Sequence, residues 1–403
     1  MTTTLLEPET ASRTEAQGSG PGELALVLGG GGARAAYQVG LLRCLGRHFP
    51  NLEAPIITGV SAGAINAVHF AARRDTFAVA TRELADLWAS LRVEDVFSVR
   101  SSSLGMNLMR WGLRLVSGGS SASPPVRGMV DTTPLRRFLR KLYANADGEI
   151  IGIRRNIDEG RVRAIAVTTL NYTTGQTVTW IQGRAIETWE RPNRRSVRTE
   201  ITPSHVMASA SLPLFFPAVR IGNHWYGDGG IRHAAPLSPA LHLGARRIIA
   251  ISTRYNRTFE EADQPVIYGY PPPAQILGQL MNAIFLDVLD QDAARLERIN
   301  MLVERIPPEE RMGFQPVEFV VIRPSRDIGA MAGDYEPRLP PAFRFLTRGL
   351  GTKETRSADM LSLLLFQPDY LKALIDLGEE DGEKRLPELR KLLRPEQESS
   401  ASI

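Results

Sequence analysis

Ile56-Ile57-Thr58-Gly59-Val60-Ser61-Ala62-Gly63-Ala64-Ile65-Asn66-Ala67 joins two kinds of structure without a linker. Residues 56–60 form a short, largely apolar run of the kind buried in a parallel sheet. A helix is predicted from Ala62 to about Ala72, so the chain has to turn within residues 59–63, where two glycines flank a serine. Such a turn leaves the serine hydroxyl exposed at the carboxyl end of the strand, as in a nucleophile elbow. The helix that starts beside it points free N–H groups at the same spot and favours negative charge there. The bland alternative is a glycine-rich turn holding a small buried serine.

The same unit occurs upstream. Residues 24–28 are a short apolar run, four glycines follow at 29–32, and Ala35, Val39, Leu42 and Leu45 then recur at helical spacing. Two strand–turn–helix units in succession imply a parallel sheet with covering helices. Downstream, 164–170 and 177–181 flank a Thr-Thr-Gly turn at 173–175 and predict a hairpin, while 247–253 and 318–323 are later strand candidates. The expected fold class is α/β, a mostly parallel central sheet with an antiparallel edge.

At 403 residues the chain suits one large domain with extensions. Residues 1–22 lack periodicity and are expected to be a disordered tail. The main domain is expected over 23–255, with an insertion at 98–130, and 256–403 is expected to be a mainly helical extension packing on the core. Within the insertion, Leu104, Leu108, Trp111 and Leu115 share a helical face and Arg110 and Arg114 lie elsewhere. Residues 104–116 therefore read as a lid or membrane anchor, or else as a core-facing helix.

Apolar residues make up 43% and charged residues 23%, ordinary values that name no function. A net charge of +4 and a pI near 9.3 suit an anionic membrane surface and fall short of a nucleic-acid binder. The clusters Arg136-Arg137 with Arg140-Lys141, and Arg191 with Arg194-Arg195, would add to such attraction or simply be solvated. The lone cysteine, Cys44, rules out an intrachain disulfide, and a cysteine-based metal site is taken as excluded. The first residues lack the features of a signal peptide, and no apolar run approaches the ~18 residues of a spanning helix. The expectation is a cytoplasmic protein whose membrane contact, if any, is peripheral.

Three features carry chemistry. Ser61, framed by Gly59 and Gly63, is the candidate nucleophile. The unsubstituted amides of Gly30, Gly31 and Gly32 can converge on one point as an anion-binding concavity, an oxyanion hole in an esterase. In a dinucleotide binder the same loop would hold pyrophosphate, yet the acid that reading needs at the end of the second strand is replaced by Gly59 and Ser61. No Gly-Lys-Ser/Thr ends the run, which removes a phosphate loop. The third feature is Tyr226-Gly227-Asp228-Gly229-Gly230, an aspartate framed by glycines that reads either as a turn residue or as the base a serine nucleophile requires. None of the six histidines, at 48, 69, 205, 224, 233 and 242, has a motif-like setting, although His224 and His233 lie near Asp228 in sequence and leave a Ser-Asp-His triad open.

With these pieces in this order the sequence resembles the patatin-like phospholipase family over about residues 24–253. Gly30-Gly31-Gly32-Ala33-Arg34 matches its oxyanion loop and basic residue, 59–63 its serine elbow, and Asp228-Gly229-Gly230 its aspartate motif. Ala208-Ser209-Ala210-Ser211-Leu212-Pro213 resembles the family's run before that aspartate. Ala35 stands where the family usually carries glycine, so a slightly altered loop is expected. The resemblance implies a three-layer α/β/α fold, a Ser61-Asp228 dyad without catalytic histidine, and a lipid ester substrate such as a phospholipid or lysophospholipid. No cofactor and no nucleic-acid partner is expected, and the mechanism so implied requires no metal. Phe215, Phe216 and Trp225 are expected to bury Asp228 and raise its pKa. Arg34 is expected either to polarise the site or to pair with a carboxylate. A catalytically silent lipid-binding module on the same fold is the alternative.

Overall fold

The computed structural model describes residues 23–98, 128–264, 270–271, 273–285, 287–339, 344 and 359–393. The predicted tail at 1–22 and the amphipathic stretch at 104–116 lie outside the described residues, as does nearly all of the predicted insertion.

Ten strands form one sheet: β1 (Leu24–Leu28), β2 (Ile56–Val60), β3 (Ala164–Asn171), β4 (Thr177–Gly183), β5 (Glu190–Arg191), β6 (Arg194–Arg198), β7 (Val219–Ile221), β8 (His224–Asp228), β9 (Arg247–Ile251) and β10 (Glu318–Ile322). They run in the order β10-β9-β1-β2-β3-β4-β6-β5, with β8 also on β3 and β7 on β8. From β10 to β3 every pairing is parallel, and β4 and β8 join β3 antiparallel. The predicted hairpin is β3–β4. The strand predicted in the C-terminal extension is β10, which carries the parallel sheet past residue 255.

Alternation along β1 separates two apolar layers. Leu24, Leu26 and Leu28 face one cluster and Ala25 and Val27 the other. On the first face lie α1 (Ala36–His48), α2 (Ala62–Ala72) and α3 (Phe77–Ser90), together with α4 (Thr133–Tyr143), α5 (Pro203–Ser209), α8 (Asp359–Leu364) and α9 (Pro368–Lys384). The second is covered by α6 (Ser238–His242) and α7 (Asp287–Glu304), through Leu237, Ala240, Leu289, Ala293 and Leu296. The protein is thus an α/β/α sandwich around a mostly parallel sheet. No helix among the described residues is long and apolar enough to cross a membrane.

One pairing detail positions the chemistry. β2 runs along one edge of β3 and ends with Val60 opposite Thr168. β8 approaches the same edge from the other direction and ends with Asp228 opposite Thr169. Two strands thus meet nearly head to head on consecutive residues of β3, whose spacing is only ~3.3 Å.

Candidate active site

Ser61 follows directly from the end of β2 and has φ 55° and ψ −132°, a backbone region that side chains other than glycine rarely occupy. The turn tolerates no Cβ at its flanks. At Gly59 one would collide with the Gly63 carbonyl and Ala64, and at Gly63 with the carbonyl oxygens of Leu28 and Gly29. The helix beyond closes with the Ala64 amide bonding to the Ser61 carbonyl at 3.0 Å. Ser61 is 5% exposed.

Asp228 is fully buried. Its Oδ1 accepts the amide of Gly230 at 2.9 Å, and Oδ2 is left without a full hydrogen bond among the described residues. Burial pushes its pKa up to about 7, while the Ser61 hydroxyl and the Gly230 amide oppose that rise. The side chain therefore stands next to the Ser61 hydroxyl with an oxygen to spare and a proton affinity matched to neutral pH. Both following glycines are sterically required, because a Cβ on Gly229 would strike the Thr168 carbonyl and one on Gly230 the Phe285 ring. Of the residues expected to bury the carboxylate, Phe215 and Phe216 lie in the core. Trp225 does not: it is 45% exposed, since alternation along β8 turns it outward while Tyr226 points in.

The glycine loop is oriented from behind. Gln38 Nε2 donates to the Gly29 carbonyl at 2.8 Å, and Thr253 Oγ1, just beyond β9, donates to the Gly30 carbonyl at 2.7 Å. In a trans peptide the N–H points opposite to the C=O. Anchoring those two oxygens therefore turns the N–H groups of Gly30 and Gly31 the other way, and they have no partner among the described residues. The Gly32 amide is likewise unpaired. Gly31 and Gly32 have φ of 146° and 55°, and a Cβ at Gly30 would lie 3.1 Å from the Ser61 Cβ, so the loop passes directly over Ser61. A buried chain stiffens it: Gln38 Oε1 accepts from Asn66, and Asn66 Oδ1 from the Trp88 indole. Ala35 is buried within the short 3₁₀ turn Gly32–Ala35 that closes the loop.

Arg34 is buried and faces away from this point. Its Nη2 bonds to Asp359 Oδ1 at 2.8 Å and its Nε to Ser362 Oγ at 2.6 Å, both on α8, while its backbone amide bonds to the Gly31 carbonyl. Nε, Nη2 and the backbone amide are thus engaged, and the ion pair fastens the loop to the C-terminal helices. Among the histidines, His69 is bonded to Tyr143 and Ala80 and His205 to Thr202, and burial drives the pKa of each down to about 4. None bonds to Ser61 or Asp228, which disfavours the triad.

Ser209 carries a role that the motif reading left unassigned. Its hydroxyl accepts the Ser61 amide and donates to the Thr168 carbonyl, and two residues later the Ser211 carbonyl accepts the Asp228 amide. The Ala-Ser-Ala-Ser run thus braces both candidate catalytic residues. An apolar pocket opens at Ser61 and runs between α2, α3 and α4, lined by residues that include Ile65, Leu84, Trp88, Phe138, Tyr143 and Phe216. The Tyr143–His69 bond marks its reach along α2, eight residues from Ser61 or ~12 Å of helix.

The family model described as Patatin-like phospholipase matches residues 26–241. Among solved structures, VipD from Legionella pneumophila aligns at 13% identity and a TM-score of 0.37, covering 92% of this chain and 67% of that one. Human GIVD cytosolic phospholipase A2 aligns at 12% identity and a TM-score of 0.45, covering 93% of this chain and 60% of that one. The chain therefore spans less than two thirds of the human protein. No curated protein matches it.

Proposed function

Because the chain belongs to the patatin-like phospholipase family, we propose that it is a serine lipid acyl hydrolase in which Ser61 is the nucleophile and Asp228 the only side-chain base. The observation that carries this reading is the meeting of Ser61 and Asp228 on one edge of β3, beside a glycine loop whose Gly29 and Gly30 carbonyls are held by Gln38 and Thr253.

Asp228 takes the proton of the Ser61 hydroxyl as Oγ attacks the ester carbonyl. The N–H groups of Gly30, Gly31 and Gly32 hold the oxyanion. As the intermediate collapses, the alcohol leaves with the proton from Asp228 and the acyl group stays on Ser61. Asp228 then deprotonates water, which attacks the acyl-enzyme, and the proton returns to Ser61 as the fatty acid is released. The apolar pocket at Ser61 supports a long acyl chain as the group transferred.

Peripheral binding at an anionic lipid surface fits the placement of α4. Leu135 and Phe138 line the pocket, whereas Arg136, Arg137, Arg140 and Lys141 are exposed.

The deciding test is the intact mass of the protein after treatment with a long-chain alkyl fluorophosphonate. One adduct on wild type, none on Ser61→Ala and a strongly slowed one on Asp228→Asn are expected. A folded wild-type protein that takes up no adduct would overturn the assignment in favour of the silent lipid-binding module.

A further inference from the structure

Cys44 and His48 are four residues apart on α1 and so project from the same face. Glu383, near the end of α9, reaches across to both. Its Oε1 lies 3.3 Å from Cys44 Sγ and 2.9 Å from His48 Nε2, and its Oε2 lies 3.0 Å from the same nitrogen. One ligand atom from each residue fits within a span of 4.8 Å, and no other group of three such residues does so among the described residues.

A tetrahedral zinc ion holds sulfur at ~2.3 Å and nitrogen or oxygen at ~2.0–2.2 Å, which sets its ligands roughly 3.3–3.8 Å apart. The two separations to Glu383, 3.3 Å from Cys44 Sγ and 2.9 Å from His48 Nε2, lie within a few tenths of an ångström of that range, and all three ligand atoms lie within 4.8 Å of one another. The donor set of one thiol, one imidazole and one carboxylate is that of a borderline-soft divalent ion. Cys44 closes the inner side of the cluster, whereas His48 and Glu383 are partly exposed, giving a cation a way in and a water the fourth position. Arg47 Nη2 also contacts Glu383, at 2.6 Å, but the same nitrogen lies 2.9 Å from Glu379 and has that carboxylate to fall back on.

We propose that Cys44, His48 and Glu383 bind a divalent cation of the zinc class and thereby fasten α9 to α1. The lone cysteine rules out a thiolate-rich site and leaves room for this mixed one. Without a cation, burial and then the neighbouring Glu383 push the Cys44 thiol up to about 12, so it is protonated. On binding, the sulfur–metal bond forms as the S–H bond breaks and the proton passes to solvent, with no change of oxidation state. The ion would tie the helix that follows the glycine loop to the helix that follows the Arg34 clamp, at a distance from Ser61.

The test is cobalt(II) titration of the untagged, chelator-treated full chain, read by absorbance. One equivalent is expected to produce a sulfur-to-cobalt charge-transfer band that zinc displaces and that Cys44→Ala lacks. His48→Gln and Glu383→Gln, both at partly exposed positions, are expected to weaken binding on the order of tenfold or more while keeping the far-UV spectrum and the metal-free esterase rate. No band on the folded wild type, or unchanged affinity in both of these variants, would overturn the site. Because these variants do not depend on Cys44→Ala folding, the result is decisive either way.

Discussion

The Ser209 hydroxyl lies 2.9 Å from the Ser61 amide nitrogen and 2.6 Å from the Thr168 carbonyl oxygen, pinning the strained serine to β3, the strand against which Asp228 of β8 is paired. Ser209→Ala leaves a buried amide and a buried carbonyl unsatisfied, at a cost of about 1–3 kcal/mol each. Thermal unfolding should shift down, and kcat should fall more than KM changes, because the nucleophile is misplaced and not the pocket. An unchanged kcat in a folded variant would remove Ser209 as a positioning residue.

The pH dependence follows from Asp228. With a folded pKa of about 7, Asp228 is protonated below that value, so its proposed role as base requires kcat/KM to rise with pH through about 7 and level off above it. For stability the sign is opposite. Between the ordinary carboxyl pKa of ~3.9 and about 7 the folded state holds the extra proton, so stability declines as pH rises through that window. Above it the charged, buried carboxylate costs on the order of a few kcal/mol. Asp228→Asn should therefore unfold at a higher temperature than wild type near about pH 8 while losing activity, with the gain shrinking toward about pH 4. Calorimetry at the two pH values checks this.

Thr253→Val tests the orientation of the glycine loop. It removes the hydrogen bond to the Gly30 carbonyl without changing the side-chain outline much, and frees the peptide that aims the Gly31 amide. Loss of one oxyanion donor typically costs ~100-fold or more in turnover, so a partial loss of about tenfold in kcat with near-constant KM is expected. Equal kcat would mean that this peptide does not face the oxyanion.

The pocket should act as a chain-length gauge. Ile65 lies one helical turn beyond Ser61 and lines the pocket. Ile65→Trp is expected to cut hydrolysis of long-chain esters on the order of tenfold while sparing short-chain ones, since each excluded CH₂ forfeits ~0.8 kcal/mol of burial. Parallel losses for both ester lengths would argue against an acyl chain in this pocket.

Replacing Arg136, Arg137, Arg140 and Lys141 by Gln should weaken binding to anionic vesicles, each residue contributing roughly 1 kcal/mol near such a surface. Hydrolysis of a soluble short-chain ester should be unchanged. Vesicle co-sedimentation at low and high salt provides the readout.

The parts of this site that were legible in the sequence are those where local backbone geometry dictates residue type. Gly59, Gly63, Gly229 and Gly230 are each forced by a carbonyl or ring that leaves no room for a Cβ, and such constraints show as motifs. The partners that do the aligning were not legible, because they come from far along the chain. Arg34 finds Asp359 across 325 positions and Gly30 finds Thr253 across 223. The meeting of β2 and β8 on one edge of β3 is equally non-local and leaves no mark in hydropathy. Trp225 misled because aromatic character was taken for burial, whereas its place in the alternation of β8 sets its side.

The buried Arg34–Asp359 pair has a consequence for timing. Synthesis runs from the amino terminus, so Ser61 and Asp228 leave the ribosome long before α8 and α9 exist. Until then Arg34 is a cation with no counter-charge at the edge of the glycine loop, and α1 lacks the helix that packs on it. A nascent chain halted near residue 340 should therefore react with a fluorophosphonate poorly although it already contains both Ser61 and Asp228.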